Sequence, residues 1–273
     1  MLSKVILITG CSTGIGKDLV ERLTKSGYTV VATARKLETI ESLDAALKLS
    51  LDVTNNESII DAVNKIVLNF GRIDTLINNA GYAARSVVEE VSDDQIQQMF
   101  NVNVYGVIRM IRAAVPYMRK EKSGRIINIG SIAGKMVLPV SGAYCASKFA
   151  LEGLNDALRL ELMSFGISVV LVEPGNIRTN FMNTVQNNSG KIISNPNSVY
   201  HELYQNYERF NTKARNNNPG PEAVSEIVQK AIEASTPKAR YFAAVPTINQ
   251  LITIMGDNMK DRIVKSLFKI NSL

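Results

Sequence analysis

Tyr144 and Lys148 stand four residues apart at the head of a strongly helical run, Tyr-Cys-Ala-Ser-Lys-Phe-Ala-Leu. Four residues of helix rise about 6 Å and bring both side chains onto one face. A phenol ordinarily titrates near pH 10 and is a sluggish acid–base group at neutrality. An ammonium beside it favours the phenolate, so the pair predicts a phenol of lowered pKa that serves as a general acid or base. Tyr and Lys often share a helix face by chance. The pair gains meaning from its surroundings.

A second chemical signature lies at the other end of the chain. Gly10-Cys11-Ser12-Thr13-Gly14-Ile15-Gly16 follows the apolar run Val5-Ile6-Leu7-Ile8 and Thr9, and it opens a helical pattern. Glycines permit a tight turn and let backbone amides approach a pyrophosphate, whose charge also suits a helix N-terminus. The spacing, three residues and then one between glycines, departs from the common dinucleotide GxGxxG. About twenty residues past such a loop, an acid would hold the ribose 2′-hydroxyl of NAD. Here the chain reads Ala32-Thr33-Ala34-Arg35-Lys36. An acid would repel a 2′-phosphate, whereas Arg35 can pair with it bidentately. NADP(H) is therefore expected over NAD(H).

These residues need a frame. Short apolar, β-branched runs at 4–9, 29–33, 47–51, 73–78, 125–129, 167–172 and 240–244 alternate with helical-period segments at 15–25, 58–70, 93–120, 144–165 and 221–234. The strand candidates lack strict polar alternation, as expected for strands covered on both faces. The alternation predicts an α/β, doubly wound, mostly parallel sheet of Rossmann type, with about seven strands and helices on both faces. No Pro/Gly-rich linker divides the 273 residues, so a single domain is expected.

Bulk properties narrow the function. The net charge of +6 comes without a dense Lys/Arg block or basic–aromatic repeat, so no nucleic-acid partner is expected. Cys11 and Cys145 lie far apart, outside any metal or redox spacing, and read as intracellular and reduced thiols. The sole histidine, His201, cannot build a His-rich metal site, and no metal is expected. No stretch approaches the roughly 20 apolar residues of a membrane span. The first apolar run starts after four residues, too early for a secretory signal, so the cytoplasm is the expected location.

Taken together, the motifs resemble the single-domain branch of the short-chain dehydrogenase/reductases across nearly the whole chain. The resemblance rests on Thr-Gly-xxx-Gly-Ile-Gly, Asn78-Asn79-Ala80-Gly81 after strand four, Ser131 after strand five, the Tyr-x-x-x-Lys pair, and Pro174-Gly175 after strand six. It implies an NADP(H)-dependent oxidoreductase that interconverts a carbonyl and an alcohol of a small, apolar or medium-sized substrate. Tyr144 would be the acid or base, and Ser131 would hydrogen-bond the substrate oxygen. Lys148 would bind the nicotinamide ribose and tune Tyr144, while Asn103 would order a water in the proton relay. Gly10, Ser12, Thr13, Gly14, Ile15 and Gly16 would surround the phosphates. Asp52 and Val53 would contact adenine, and Asn79, Ala80 and Gly81 the cofactor's ribose side. Pro174, Ile177 and Thr179 would meet the nicotinamide. The glycine loop with Ala-Thr-Ala-Arg is most similar to hydroxysteroid and retinol dehydrogenase-type members.

Two other functions share these motifs: a non-catalytic dinucleotide sensor, and an epimerase or dehydratase of the same superfamily. The filled Ser131–Tyr144–Lys148 set disfavours the first. The glycine spacing and modest length disfavour the second. The polar, Asn-rich stretch at about 178–219 is expected to be a substrate lid over the sheet edge. A C-terminal helix at about 257–269 places Ile263, Leu267 and Ile270 among lysines. Such a face could cap the core, join a subunit or touch an anionic membrane. The resemblance also implies a homo-oligomer, built on the helices at 93–120 and 144–165; Leu151, Leu154, Leu158 and Leu162 fit that role or core burial equally.

Overall fold

In a computed structural model describing residues 3–215 and 218–270, seven strands form one sheet, all in parallel pairs. The chain runs β1 (Val5–Ile8), α1 (Gly14–Lys25), β2 (Thr29–Ala34), β3 (Leu47–Ser50), α2 (Asn56–Phe70), β4 (Thr75–Asn78), α3 (Asp93–Phe100) and α4 (Val107–Lys120). It continues through β5 (Gly124–Ile129), α5 (Gly142–Glu161), β6 (Ile167–Pro174), α6 (Phe181–Ile193), α7 (His201–Arg215), α8 (Glu222–Glu233), β7 (Arg240–Ala243), α9 (Thr247–Thr253) and α10 (Asp257–Phe268). The strand order β3-β2-β1-β4-β5-β6-β7 is the doubly wound arrangement expected from the alternation.

Strand pleating divides the core in two. Ile6 and Ile8 join Leu19 of α1 and Val224 and Val228 of α8 on one face. Val5 and Leu7 join Ile59 of α2, Met110 of α4 and Leu158 of α5 on the other. Both faces are apolar because both are covered. A fully buried side chain of this kind contributes roughly 1.5–3 kcal/mol.

Two expectations need correction, and the stretch between them gains detail. The helix expected over 93–120 is interrupted by a π-helical turn at Asn101–Gly106. There Gly106 lets Val53 approach: a Cβ on it would stand 2.9 Å from Val53 Cγ2. The polar stretch at 178–219 holds two helices, α6 and α7, whose aromatic residues pack inward. On α10 the buried stripe is Val264 and Phe268, one residue round from the expected face. Leu267 and Ile270 point outward, 48% and 37% exposed. Phe268 is wholly buried, stacks 5.1 Å from Phe210, and accepts a hydrogen bond from Asn206 Nδ2 at its carbonyl (3.1 Å). That anchoring against α7 decides the helix's rotation.

Candidate active site

The carboxyl ends of β1, β4, β5 and β6 gather most of the expected site residues. The chain winds outward from β1 to β3 and returns at β4, so a crevice opens between β1 and β4 where doubly wound sheets take ligands. Gly10 lies at φ +74°, and a Cβ on it would stand 2.9 Å from Ala80 Cα. A Cβ on Gly16 would fall 2.2 Å from the Gly10 carbonyl oxygen, so only glycine lets α1 start this close to the strand. Asn79 Nδ2 donates to the carbonyls of Thr9 (2.9 Å) and Gly10 (3.0 Å). The Thr9 hydroxyl in turn accepts from the amides of Asn79 and Ala80. The Asn79-Ala80-Gly81 segment thereby clamps the glycine turn.

The turn suits an anion. Thr13 precedes α1 without capping it, and the first turn, with Gly14 and Ile15, carries no acidic side chain. The helix's first amides therefore keep their partial positive charge available, with Ser12 alongside. Thr179 crosses above: a Cβ on Gly14 would stand 3.1 Å from Thr179 Cβ. Pro174 ends β6 buried, and Ile177 packs half-buried on the core. Arg35 is exposed just past β2, and no acid pairs with it among the described residues. Asp52 Oδ1 accepts from the Thr54 amide and hydroxyl, and Val53 is buried beneath the π turn.

Tyr144 and Lys148 occupy one face of α5, both buried, with Lys148 Nζ 5.9 Å from the phenol ring centroid. Lys148 Nζ donates to the Ile129 carbonyl at 3.0 Å, and burial pushes its pKa down to about 8. Burial pushes the Tyr144 phenol up, against opposing pulls from Arg85 and from a hydrogen bond with Ser131. The expected lowering by Lys148 is thus not found in the cofactor-free protein. Removing the phenol from water outweighs the nearby charges, because desolvation always disfavours the ionised form.

Asn103 is buried in the π turn, and its side chain is fully engaged. Nδ2 donates to the Tyr82 carbonyl (2.9 Å) and to Ser147 Oγ (3.0 Å), and Oδ1 accepts from the Tyr82 amide (2.9 Å). Ser147 donates onward to the Tyr144 carbonyl (2.7 Å). Asn103 therefore ties the loop after β4 to the helix that carries Tyr144. Asn101 faces elsewhere and accepts from Arg109 Nη1 at 2.8 Å.

A family model described as short chain dehydrogenase matches residues 4–190. The chain belongs to the short-chain dehydrogenases. This dehydrogenase is 37% identical over 240 residues to a 3-ketodihydrosphingosine reductase of Bacteroides thetaiotaomicron, covering 88% of this chain and 87% of that protein. It is 35% identical over 257 residues to human 17-beta-hydroxysteroid dehydrogenase type 1, covering 89% and 78% respectively. The solved short-chain dehydrogenase from Streptomyces avermitilis superposes with a TM-score of 0.82 at 30% identity, over 98% of this chain and 97% of that one. The dehydrogenase is thus an oxidoreductase on a nucleotide-binding Rossmann frame.

Sequence reasoning missed several residues that shape the site. Thr9 and Ser147 act through hydrogen bonds whose partners are distant in the chain. Arg85 stands over the Tyr144 ring, its guanidinium carbon 4.3 Å from the centroid. No spacing rule flags a lone arginine in a loop.

Proposed function

We propose that this dehydrogenase transfers hydride between NADP(H) and a carbonyl or secondary alcohol, with Tyr144 as the acid–base group. The observation that carries the reading is Tyr144 and Lys148 on one buried face of α5, tied to the end of β5 with Ser131 just past it, on the sheet edge where the uncapped, glycine-lined α1 begins. The nicotinamide dinucleotide supplies or accepts the hydride when bound. Its phosphates suit the amides of residues 12–16, and its 2′-phosphate suits Arg35, which forms no ion pair with an acid among the described residues. Asp52, through its free carboxylate oxygen, and Val53 form the adenine side. Asn79 to Gly81, Pro174, Ile177 and Thr179 line the remainder.

The chain's own groups then handle the oxygen and its proton. Ser131 hydrogen-bonds the substrate oxygen as charge develops there. Tyr144 delivers the proton in reduction and removes it in oxidation. Its raised pKa keeps it protonated at neutral pH, the state a reduction needs. Lys148 holds the ribose hydroxyls. Asn103, with both side-chain N–H groups spent on Tyr82 and Ser147, orders the relay water through an oxygen.

The chain acts as one domain, residues 1–273, with 178–219 as its substrate lid. We assign it to the cytoplasm, where two free, buried thiols remain reduced. Among the described residues no helix is long and apolar enough to cross a membrane. The docking of α10 on α7 favours a structural cap over membrane contact. A homo-oligomer suits Phe149, Leu160 and Met163, exposed on and just after α5, while Leu151 and Leu162 serve the core. A panel of carbonyls and alcohols, followed by NADPH and NADH absorbance, tests the reaction. Turnover that survives Tyr144→Phe undiminished would refute it, and a clear NADH preference would refute the reading of Arg35.

A further inference from the structure

Arg85 brings a second cation to the reacting phenol, and the reaction as proposed has no use for it. It sits in the loop between β4 and α3, stacked on the Tyr144 ring at 4.3 Å. Its Nε and Nη1 are fully buried and have no hydrogen-bond acceptor. No acidic side chain pairs with it among the described residues. The nearest acids along the chain are already engaged. Glu89 accepts from the Tyr200 hydroxyl, and Glu90 accepts from Ser198 and Tyr204. The surroundings are otherwise apolar: Ala83, Ala84, Met99 and Val185 cluster with Tyr144.

Arg85 is half-buried, and burying two of its nitrogens without an acceptor is costly, a cost that stacking on an aromatic face recovers only in part. Its position is also well defined. The Arg85 amide donates to Ser189 Oγ of α6 at 2.7 Å, and Asn188 Nδ2 donates to the Ala83 carbonyl at 2.9 Å. The loop bearing the cation is thus laced to the helix above it. An unpaired charge held this firmly beside the reacting group implies a partner that arrives with the substrate.

We propose that Arg85 forms a substrate subsite for a carboxylate, and that the enzyme favours oxo- or hydroxy-carboxylic acids whose carboxylate lies a few bonds from the reacting carbon. The planar guanidinium matches a carboxylate bidentately, and the apolar cluster strengthens the pair by excluding water. Its closeness to the phenol ring sets the short span between the two ends. This subsite rests on Tyr144 being the reacting group.

The test compares acetoacetate with methyl acetoacetate and levulinate with methyl levulinate, as kcat/KM with NADPH. Wild type should favour the acid of each pair by at least about tenfold, as a charged hydrogen bond warrants. Arg85→Gln should bring the ratio to one or below, and Arg85→Lys should retain part of it. The ratio within a pair cancels any effect of Arg85 on the phenol, which strikes both members alike. Separately, calorimetry compares hexanoate with hexanamide on the NADP+-loaded and cofactor-free proteins, wild type and Arg85→Gln. Hexanoate should bind more tightly than hexanamide to wild type only. Reduction of esters and acids at equal efficiency would overturn the subsite and leave the reductase reading standing. Hexanoate binding through Arg85 without turnover of any ketone would do the reverse. Equal hexanoate affinity in wild type and Arg85→Gln would remove the subsite outright.

Discussion

The site has two unlike walls. One is the sheet edge with α5, where Thr9, Asn79, Ser131, Tyr144 and Lys148 stand at strand ends or on the helix packed against them. The other is the helical cover of α6, α7 and α10, held to the loop after β4 by side chains that meet across long stretches of chain. Tyr204 shows the second kind of bonding. Wholly buried, its hydroxyl donates to Glu90 (2.7 Å), accepts from the Val87 amide (3.2 Å) and pairs with Ser86 (3.1 Å). Gln95 Nε2 adds a bond to the Asn188 carbonyl of α6 at 2.8 Å. The first wall is stiff because each part is anchored to the backbone ladders of the sheet. The second depends on a few distant polar contacts, so it is the wall that can differ in stability and choice of substrate without disturbing the reaction.

The contrast can be broken most sharply on the stiff wall. Tyr144→Phe should lower kcat/KM by roughly 10²–10⁴-fold, the worth of a positioned acid or base, while NADPH affinity measured by fluorescence titration persists. Loss of both together would mean that the phenol holds the wall in shape and does no chemistry. Next in size is the cofactor end. Arg35→Glu should cut the NADPH-over-NADH ratio of kcat/KM by roughly 10–100-fold, because a charged hydrogen bond worth about 1.5–3 kcal/mol becomes a repulsion. An unchanged ratio would place the 2′-phosphate elsewhere.

On the helical wall, Tyr204→Phe strands the Val87 amide and leaves the Glu90 carboxylate with Ser198 alone. It should cost about 1–3 kcal/mol, seen as a lower Tm and faster proteolysis within 178–219. Protection equal to wild type would show that the cover does not hang on this hydroxyl. The smallest effect is a pH dependence of the stiff wall. The unfolded lysine keeps its proton to about 10.5, whereas folded Lys148 releases it near 8. Between those values the unfolded chain binds more protons, so rising pH favours folding at this position. Wild type should gain on Lys148→Met by about 1 kcal/mol between pH 8 and 9 in denaturant titrations of the cofactor-free protein. A difference flat across that window would mean that the ammonium keeps its ordinary pKa despite burial.

How much was legible follows the same division. Strand positions could be read closely because both faces of a parallel sheet are covered, leaving continuous β-branched runs such as Val5–Ile8 and Ile167–Pro174. The glycine turn and the Tyr144–Lys148 pair were legible because local spacing alone puts them together. The π turn at Asn101–Gly106 was not, since the partners that Asn103 finds there, Tyr82 and Ser147, lie far off in the chain. Across the α6 and α7 stretch the part-helical spacing of Tyr200, Tyr204, Tyr207 and Phe210 was legible, but not that this stripe turns inward on the loop after β4.

The sequence by itself showed the strand–helix alternation, the glycine turn, the Tyr144–Lys148 pair and the cation at the end of β2, each a pattern of residues close along the chain. Only the tertiary structure decided which face of α10 is buried, how Asn103 is spent, and that Arg85 lies unpaired on the phenol. It also decided the direction in which Tyr144 is shifted. The physical reason is desolvation and long-range hydrogen bonding: burial of a charge or phenol, and the partner it finds, depend on atoms that no local spacing brings together.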